Sequence, residues 1–357
     1  MPAATPQPTR TRTGPGRVNL IGDHTDYNQG LALPMAIGLG VTVAVTPTDG
    51  DRVVVTSDAY PGEQADLPLV PDADTVIELE PAWARLVAAL VLLARPPTGL
   101  GVHVAATLPR GSGLSSSAAL AVALAEAFGV EGDARSVAVL CREAEHRIGV
   151  PVGLLDPLVC AGGRAGCALR IDFATGATED VPLPGTAAFV VVDSGIRRDL
   201  RSSAYATRVA ECAAAADRIG PLGLAGPDDL VGLRDPVLRR RARHVTSECA
   251  RVDAFATALS AGDLAGAGTV MDDSHHSLAT DFEVSTPELD ALVASLRGRR
   301  GVHGARVTGA GFGGCVVVLA EPGALDPVGL RHPAWQVEAV DGTVTARERG
   351  GGAVPTV

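Results

Sequence analysis

The chain has 357 residues, a formal net charge of −11, and a composition of 46% apolar and 20% charged residues. This composition is typical of a globular protein long enough for two domains, and the acidic balance argues against a nucleic-acid partner. All 30 basic residues are arginine, which excludes a Walker-type phosphate loop and a protein-kinase site, because both designs need a lysine.

Several features indicate a cytoplasmic protein with no membrane partner. The first residues contain no apolar segment typical of a signal peptide, and no run of 18 or more apolar residues occurs. The six cysteines are scattered without metal-type spacing, as expected of reduced thiols. We predict a flexible N-terminal arm over residues 1–15.

In chain order, strand patterns come first and helical patterns follow. Alternating or β-branched segments predict strands at Arg17–Ile21, Leu39–Thr46, Arg52–Ser57 and Val102–Leu108. Helical periodicity ended by glycine or proline predicts helices at Trp83–Ala94, Ser115–Phe128 and Val137–Ile148. The first half is therefore expected to combine a sheet with several helices.

The second half repeats this mixture in a different order. Strands are predicted at Cys167–Ile171 and Phe189–Asp193, a long helical stretch at Ser203–Leu278, and closing strands at His303–Thr308 and Gly314–Leu319. Strict alternation of strands and helices is missing, so the pattern predicts two α+β domains rather than a doubly wound sheet. The boundary is expected between residues 160 and 180.

A polar turn follows the strand at Arg17–Ile21. It presents two carboxylates, Asp23 and Asp26, beside His24, and such a set could orient the hydroxyls of a sugar. The same composition also fits a turn held by its own Asx side chains. The residue types alone leave both interpretations open.

A second loop, LPRGSGLSSSAAL at residues 108–120, lies between a predicted strand and an alanine-rich helix. Its glycines would let a phosphate chain approach the free amides at the helix N-terminus. Ser115, Ser116 and Ser117 could cap the helix, and one hydroxyl could bind Mg²⁺. Downstream, Glu145 and Asp156 are candidates for a metal ligand and an acceptor-orienting group, although either could be a surface or capping carboxylate.

In their exact residue order these segments resemble the galactokinases, a family of the GHMP kinase superfamily. GRVNLIGDHTDYN at residues 16–28 differs from the galactokinase signature only at Asp23, where the family has glutamate. GLSSSAA at residues 113–119 is similar to the family's phosphate loop, and ARVTGAGFGGCVVVL at residues 305–319 is similar to the third GHMP motif, which packs against that loop in the family. The resemblance extends over nearly the whole chain.

The resemblance implies an ATP- and Mg²⁺-dependent sugar 1-kinase with a two-domain α+β GHMP fold, its active site in the cleft between residues 16–170 and 171–357. It assigns catalytic roles to Asp156 and Arg17. It assigns sugar contacts to Asp23, His24, Asp26, Gly153 and Tyr205. It assigns nucleotide contacts to Trp83, Gly111, Ser112, Gly113, Leu114, Ser115, Ser116, Ser117 and Ala118. It assigns the metal to Ser117 and Glu145.

Departures from the family pattern keep some alternatives open. The interval from Glu145 to Asp156 is one residue shorter than in the family, which leaves Glu143 as a second candidate for the metal, and Pro157 replaces the usual glutamine. Galactose is the expected substrate, and Asp23 keeps L-arabinose, N-acetylgalactosamine or a related sugar as alternatives. A non-catalytic galactose and ATP sensor is a further alternative, but the intact serine-rich loop favours an enzyme, acting as a monomer or small homo-oligomer.

Overall fold

In the computed structural model, which describes residues 8–109, 111–150, 152–197 and 203–349, the strands form two sheets. The first sheet has seven strands in the order β4-β3-β5-β2-β6-β7, with β1 paired to β2. Its strands are β1 (Arg10–Ile21), β2 (Leu31–Thr48), β3 (Arg52–Ser57), β4 (Gln64–Pro68), β5 (Gly99–Ala106), β6 (Cys167–Asp172) and β7 (Thr178–Pro182). Neighbours pair antiparallel except for β3 and β5, which are parallel.

The second sheet has four antiparallel strands in the order β11-β8-β10-β9. They are β8 (Ala188–Asp193), β9 (Val302–Thr308), β10 (Cys315–Ala320) and β11 (Ala334–Val337). Both faces of this sheet are covered: Val190 and Val192 join one apolar cluster, whereas Val191 and Val317 join the main core. This explains why β8 and β10 are continuous apolar runs rather than alternating ones.

The described residues also form ten α-helices. They are α1 (Ala73–Glu78), α2 (Arg85–Ala94), α3 (Ser116–Ala127), α4 (Ala134–Arg147), α5 (Leu155–Gly162), α6 (Ser203–Ile219), α7 (Pro236–Ser260), α8 (Leu264–Thr280), α9 (Pro287–Arg297) and α10 (Thr343–Glu348). Small residues let α3 lie close to β1, since a Cβ on Gly14 would collide with the Ala119 carbonyl. Within the described ranges, none of these helices combines the length and apolarity needed to cross a bilayer.

The α+β prediction is confirmed, but three details are wrong. The expected boundary between residues 170 and 171 falls inside β6, which pairs with β2 and β7, so the first sheet continues to Pro182. Residues 10–15, expected to be flexible, belong to β1 because their backbone pairs with β2. The long helical stretch is divided into α6, α7 and α8, and the glycines that follow α6 and α7, Gly220 and Gly262, adopt positive φ angles of 87° and 71°.

Candidate active site

The polar turn after β1 is held by its own short side chains. The Thr25 hydroxyl lies within hydrogen-bonding distance of the Gly22 and Leu31 carbonyl oxygens, at 2.8 and 2.6 Å, and the Asn28 amide donates to the His24 carbonyl at 2.7 Å. The Asx-type interpretation and the functional one are therefore compatible. Thr25 and Asn28 shape the turn, and Asp26 and His24 remain to form a site.

Arg17, at the buried end of β1, faces Asp156 in the first turn of α5. Its Nε donates to Asp156 Oδ1 and its Nη2 to Oδ2, both at 2.7 Å, while Nη1 donates to the Gly113 carbonyl at 2.7 Å. Burial lowers the pKa of Arg17, but the charge and hydrogen bonds of Asp156 outweigh burial, so the pKa lies above its ordinary value. The guanidinium is thus a fixed cation linking the phosphate loop to Asp156.

The phosphate loop adds a third group to this pair. Ser115 precedes α3 with a φ angle of +63°, and its hydroxyl donates to Asp156 Oδ2 at 2.5 Å. The expected capping role is wrong for Ser115, because its side chain points to Asp156 and makes no cap bond to the helix. Because Ser115 makes no cap bond, the first amides of α3, which have no intrahelical acceptor, are suited to donate to an anion.

Asp26 lies beside both Asp156 and Gly153. A Cβ on Gly153 would collide with Asp26 Oδ2, so the glycine leaves room for that carboxylate in its present position. Burial, with a contribution from the neighbouring Asp156 charge, raises the pKa of Asp26 from 3.8 to about 6. Two neighbouring carboxylates form a site for groups that donate hydrogen bonds, as sugar hydroxyls do.

His24 brings an aromatic wall to the same place. Its Nδ1 is 3.0 Å from the Tyr27 hydroxyl, and its ring packs on Phe282 with a centroid distance of 4.4 Å. Tyr205, in the first turns of α6, lies with its ring centroid 6.0 Å from that of His24. The predicted sugar residues therefore lie in two adjoining groups: Asp26, beside Gly153 and Asp156, and the rings of His24 and Tyr205, which both lie against Tyr27, the residue after Asp26.

Asp23 faces the second sheet instead. Its Oδ2 accepts from Arg306 Nη2 at 2.5 Å, and its Oδ1 accepts from the Gly309 amide at 2.9 Å and from Asn19 Nδ2 at 3.0 Å. Only 5% of the residue's surface is exposed. Its carboxylate thus joins the polar turn to β9.

The two metal candidates separate clearly. Glu145 is buried, and its Oε2 accepts from the Ser117 hydroxyl at 3.0 Å, whereas Glu143 is exposed and pairs with Arg147 at 3.1 Å on the outer face of α4. Burial, with a contribution from the Asp156 charge, raises the pKa of Glu145 to about 7. No arginine within the described ranges pairs with this carboxylate. The Ser117 hydroxyl and the Glu145 carboxylate together suit Mg²⁺, which is usually held by one or two carboxylates and by substrate phosphates.

Trp83 lies apart from these carboxylates, beside a surface cavity of about 410 Å³. Its ring stacks on Tyr60 at 5.0 Å with an interplanar angle of 8°, and its Nε1 donates to Glu63 Oε2 at 2.9 Å. Tyr60 and Glu63 line the cavity together with His103 of β5, the strand that leads towards the phosphate loop. The predicted nucleotide residues therefore occupy two places, an anion-binding helix terminus and an aromatic cavity.

The glycine-rich segment between β9 and β10 contacts both loops. Its Gly309 amide reaches Asp23, and the Cys315 thiol lies 3.1 Å from the Ser112 carbonyl oxygen in the phosphate loop. A Cβ on Gly313 would lie 2.6 Å from the Ile196 carbonyl oxygen, which explains the need for glycine there. The expected packing of this segment against the phosphate loop is confirmed.

Family models match three segments of the chain. The galactokinase galactose-binding signature matches residues 4–47, the GHMP kinases N terminal domain residues 82–164, and the GHMP kinases C terminal model residues 255–332. A galactokinase of Roseiflexus sp. (strain RS-1) is 40% identical over 343 residues, which cover 90% of this chain and 85% of that protein. The chain belongs to the galactokinase family.

Other relatives agree with this membership. The galactokinase of Canis lupus familiaris is 41% identical over 333 residues, covering 88% of this chain and 84% of that protein. The crystal structure of Lactococcus lactis galactokinase complexed with galactose superposes with a TM-score of 0.85, at 28% identity and 95% coverage of each chain. Membership in the galactokinase family thus accounts for the two-sheet GHMP fold.

Three residues at the site were missed by sequence reasoning. Arg306 and Glu248 are fully buried beside the polar turn, and Arg197 after β8 lies close to the phosphate loop, with its Cδ 3.6 Å from where a Cβ on Gly111 would be. A charged side chain at an inward position of a strand, as at Arg306, was an available signal. The positions of Glu248 and Arg197 depend on contacts between distant segments, which a single sequence does not reveal.

Proposed function

We propose that this chain transfers the γ-phosphoryl group of ATP to the anomeric hydroxyl of D-galactose, giving galactose 1-phosphate. The observation that carries the proposal is the position of the Asp156 carboxylate, held by Arg17 and Ser115 between the polar turn and the phosphate loop. A hydroxyl bound at the turn would meet Asp156 on one side and a phosphate at α3 on the other. The galactose present in the Lactococcus lactis complex supports this choice of sugar.

Asp156 would orient the acceptor hydroxyl and accept its proton as the new phosphorus–oxygen bond forms. Arg17 donates to both carboxylate oxygens, and the Ser115 hydroxyl donates a further hydrogen bond to Oδ2, so the carboxylate is held in one orientation. Such a carboxylate needs little reorganisation when the acceptor arrives. Arg17 is bonded to Asp156 and to the Gly113 carbonyl, so we assign it a supporting role through Asp156.

The sugar would be held by Asp26, His24 and Tyr205, with Gly153 supplying the space for Asp26. Carboxylate oxygens accept from sugar hydroxyls, and the aromatic wall formed by His24 and Tyr205 would pack on the apolar face of the ring. A related sugar such as L-arabinose or N-acetylgalactosamine would use the same groups.

ATP would bind with its phosphates at Gly111–Ala118 and its base in the cavity beside Trp83. Ser117 and Glu145 would hold Mg²⁺, which neutralises phosphate charge when it is bound. The first amides of α3 would add fixed donors for the same charge. Arg197 lies near this loop, but its Nη1 donates to Asp193 Oδ2 at 3.0 Å.

We also propose a cytoplasmic enzyme that is a monomer or a small homo-oligomer. The six cysteines form no disulfide with one another, as is usual in a reducing compartment. The partners are then a small sugar and ATP.

The test is an ADP-release assay of the purified chain with Mg-ATP and galactose, alongside L-arabinose and N-acetylgalactosamine. We expect release with galactose at a kcat of about 1–100 s⁻¹, as is usual for kinases, and a product whose phosphate is on the anomeric carbon by ³¹P NMR. Binding of both ligands without ADP release would identify a sensor instead. Preferential turnover of another sugar would keep the enzyme class and reject galactose.

A further inference from the structure

The acidic residue that departs from the family signature is held by the protein itself. Each oxygen of the Asp23 carboxylate accepts a hydrogen bond, Oδ1 from Asn19 and Gly309 and Oδ2 from Arg306. With 5% of its surface exposed, Asp23 is nearly closed to solvent. Because protein donors already occupy both oxygens, little of its hydrogen-bonding capacity is left for a sugar hydroxyl.

Arg306 connects this carboxylate to the second sheet. It projects from β9, is 0% exposed, and donates through Nη1 to the Leu20 carbonyl at 3.0 Å as well as through Nη2 to Asp23. Two positions along β9, the Thr308 hydroxyl donates to the Asn19 carbonyl at 2.8 Å. Strand β9 therefore binds the last residues of β1 through two side chains.

Helix α7 closes the other side of this connection. Glu248 Oε1 accepts from the Gly22 amide at 3.0 Å and from the Ser274 hydroxyl at 2.6 Å, and it lies 3.6 Å from Arg306 Nη2. Although burial acts to raise it, the charges of Arg251 and Arg306 bring the pKa of Glu248 down to about 2. Asp23, Arg306 and Glu248 thus form one buried group of charges that holds Gly22 and Asp23, the two residues before His24.

We propose, on the basis of the proposed function, that Asp23 is a positioning residue that binds no sugar hydroxyl. It sets the place of His24 and Asp26 by tying their turn to Arg306. The glutamate of the family signature is one methylene longer, about 1.5 Å, and would push its carboxylate beyond the positions of the Asn19, Gly309 and Arg306 donors. The shorter side chain of aspartate therefore places its carboxylate where it can link β1 to β9.

A residue–hydroxyl cycle tests this directly. Asp23→Asn and Asp26→Asn are assayed with galactose and its 2-, 3-, 4- and 6-deoxy analogues. We expect Asp23→Asn to raise KM for every sugar by one common factor of about ten, with KM for ATP changed less than twofold, since a displaced turn weakens all sugar contacts alike. The loss caused by Asp26→Asn should instead disappear for the analogue that lacks its hydroxyl partner.

A loss in Asp23→Asn that vanishes for one analogue would overturn the proposal and name the hydroxyl that Asp23 binds. A fall in kcat alone, with unchanged KM for all sugars, would also overturn it, because it indicates only a smaller folded fraction. If the wild-type enzyme turns over none of these sugars, the proposed function is wrong, whatever pattern the variants show in sugar-binding calorimetry. In that case the same cycle is read from sugar dissociation constants.

Asp23→Asn leaves Arg306 buried without its closest anion, and folding itself could suffer. The double variant Asp23→Asn/Arg306→Met removes both partners. We expect its Tm to exceed that of Arg306→Met by several degrees, because Arg306→Met alone leaves the buried Asp23 charge without its cation. A double variant no more stable than the single ones would contradict the pairing of Asp23 with Arg306, and where Asp23→Asn does not fold, the deoxy-sugar cycle is run on the double variant.

Discussion

Arg17 and Asp156 lie 139 positions apart in the chain, yet the Nε and Nη2 atoms of the guanidinium each donate to one carboxylate oxygen at 2.7 Å. The pair joins β1 to α5 and also reaches the Gly113 carbonyl of the phosphate loop. Three segments of the site are therefore aligned by one arginine. Changes at either partner should affect chemistry and stability together.

Replacing Asp156 by asparagine keeps its shape and removes its charge. We expect kcat to fall by about 100-fold or more, the usual contribution of an acid–base group, and Tm to fall because Arg17 loses its anion. Single-turnover assays, thermal melts and ATP-binding calorimetry separate the effects, and ATP affinity should change little. Near-normal turnover in a correctly folded variant would disprove the assignment of Asp156.

The Ser115 hydroxyl gives a second, smaller test. Both Ser115→Ala and Ser115→Gly remove its bond to Asp156, but only alanine keeps a side chain at a φ angle of +63°. A hydrogen bond to a charged group is worth about 1.5–3 kcal/mol, so kcat should fall about 10- to 100-fold in both. If the glycine variant recovered full activity, backbone strain and not the hydroxyl would be responsible.

Glu145 and Glu143 form a matched pair on one helix. Glu145→Gln should raise the Mg²⁺ concentration needed for half-maximal activity by about tenfold or more, whereas Glu143→Gln should leave it unchanged, since Glu143 faces solvent beside Arg147. Titrations of activity with Mg²⁺ at constant ATP measure both. A larger effect of Glu143→Gln would instead indicate that the metal binds on the exposed face of α4.

Asp26 should make the stability of the ligand-free protein depend on pH. Its pKa is raised from 3.8 to about 6 in the fold, so between these values the folded state holds a proton that the unfolded state releases. Its contribution to stability is therefore present below about pH 4 and is lost as the pH rises through 6. The Tm of Asp26→Asn should therefore rise relative to the Tm of the wild type between pH 4 and pH 6.5. A difference in Tm that stays constant over this range would argue against the raised pKa.

Trp83 offers an optical test of the nucleotide cavity. The chain has two tryptophans, so Trp335→Phe leaves Trp83 as the single indole, stacked on Tyr60 beside the cavity. We expect Mg-ATP to change its emission, and Trp83→Ala to raise KM for ATP by about three- to tenfold, the worth of one aromatic contact, with KM for galactose unaffected. Emission that does not respond to saturating ATP would place the base elsewhere.

Much of the fold was accessible from local patterns, because strands such as β3 and helices such as α4 are encoded in short periodic segments. The site was accessible only through exact residue order, since nothing local links Arg17 to Asp156. Glu145 could have been chosen over Glu143 from the burial period of α4, where Cys141, Ala144 and Glu145 share one face. Glu248 could not have been found in this way, because it is an isolated charge whose partners come from other elements.

The segment between β9 and β10 has a consequence for how the two substrates meet. Its Gly309 amide holds Asp23 at the turn, and its Cys315 thiol, six positions later, contacts the phosphate loop at Ser112. A stretch of chain this short and this rich in backbone contacts fixes the interval between the two loops like a spacer of set length. The distance between the polar turn and the phosphate loop, across which a phosphoryl group would be transferred, is thus set by the connection between β9 and β10. This part of the molecule carries none of the reacting groups.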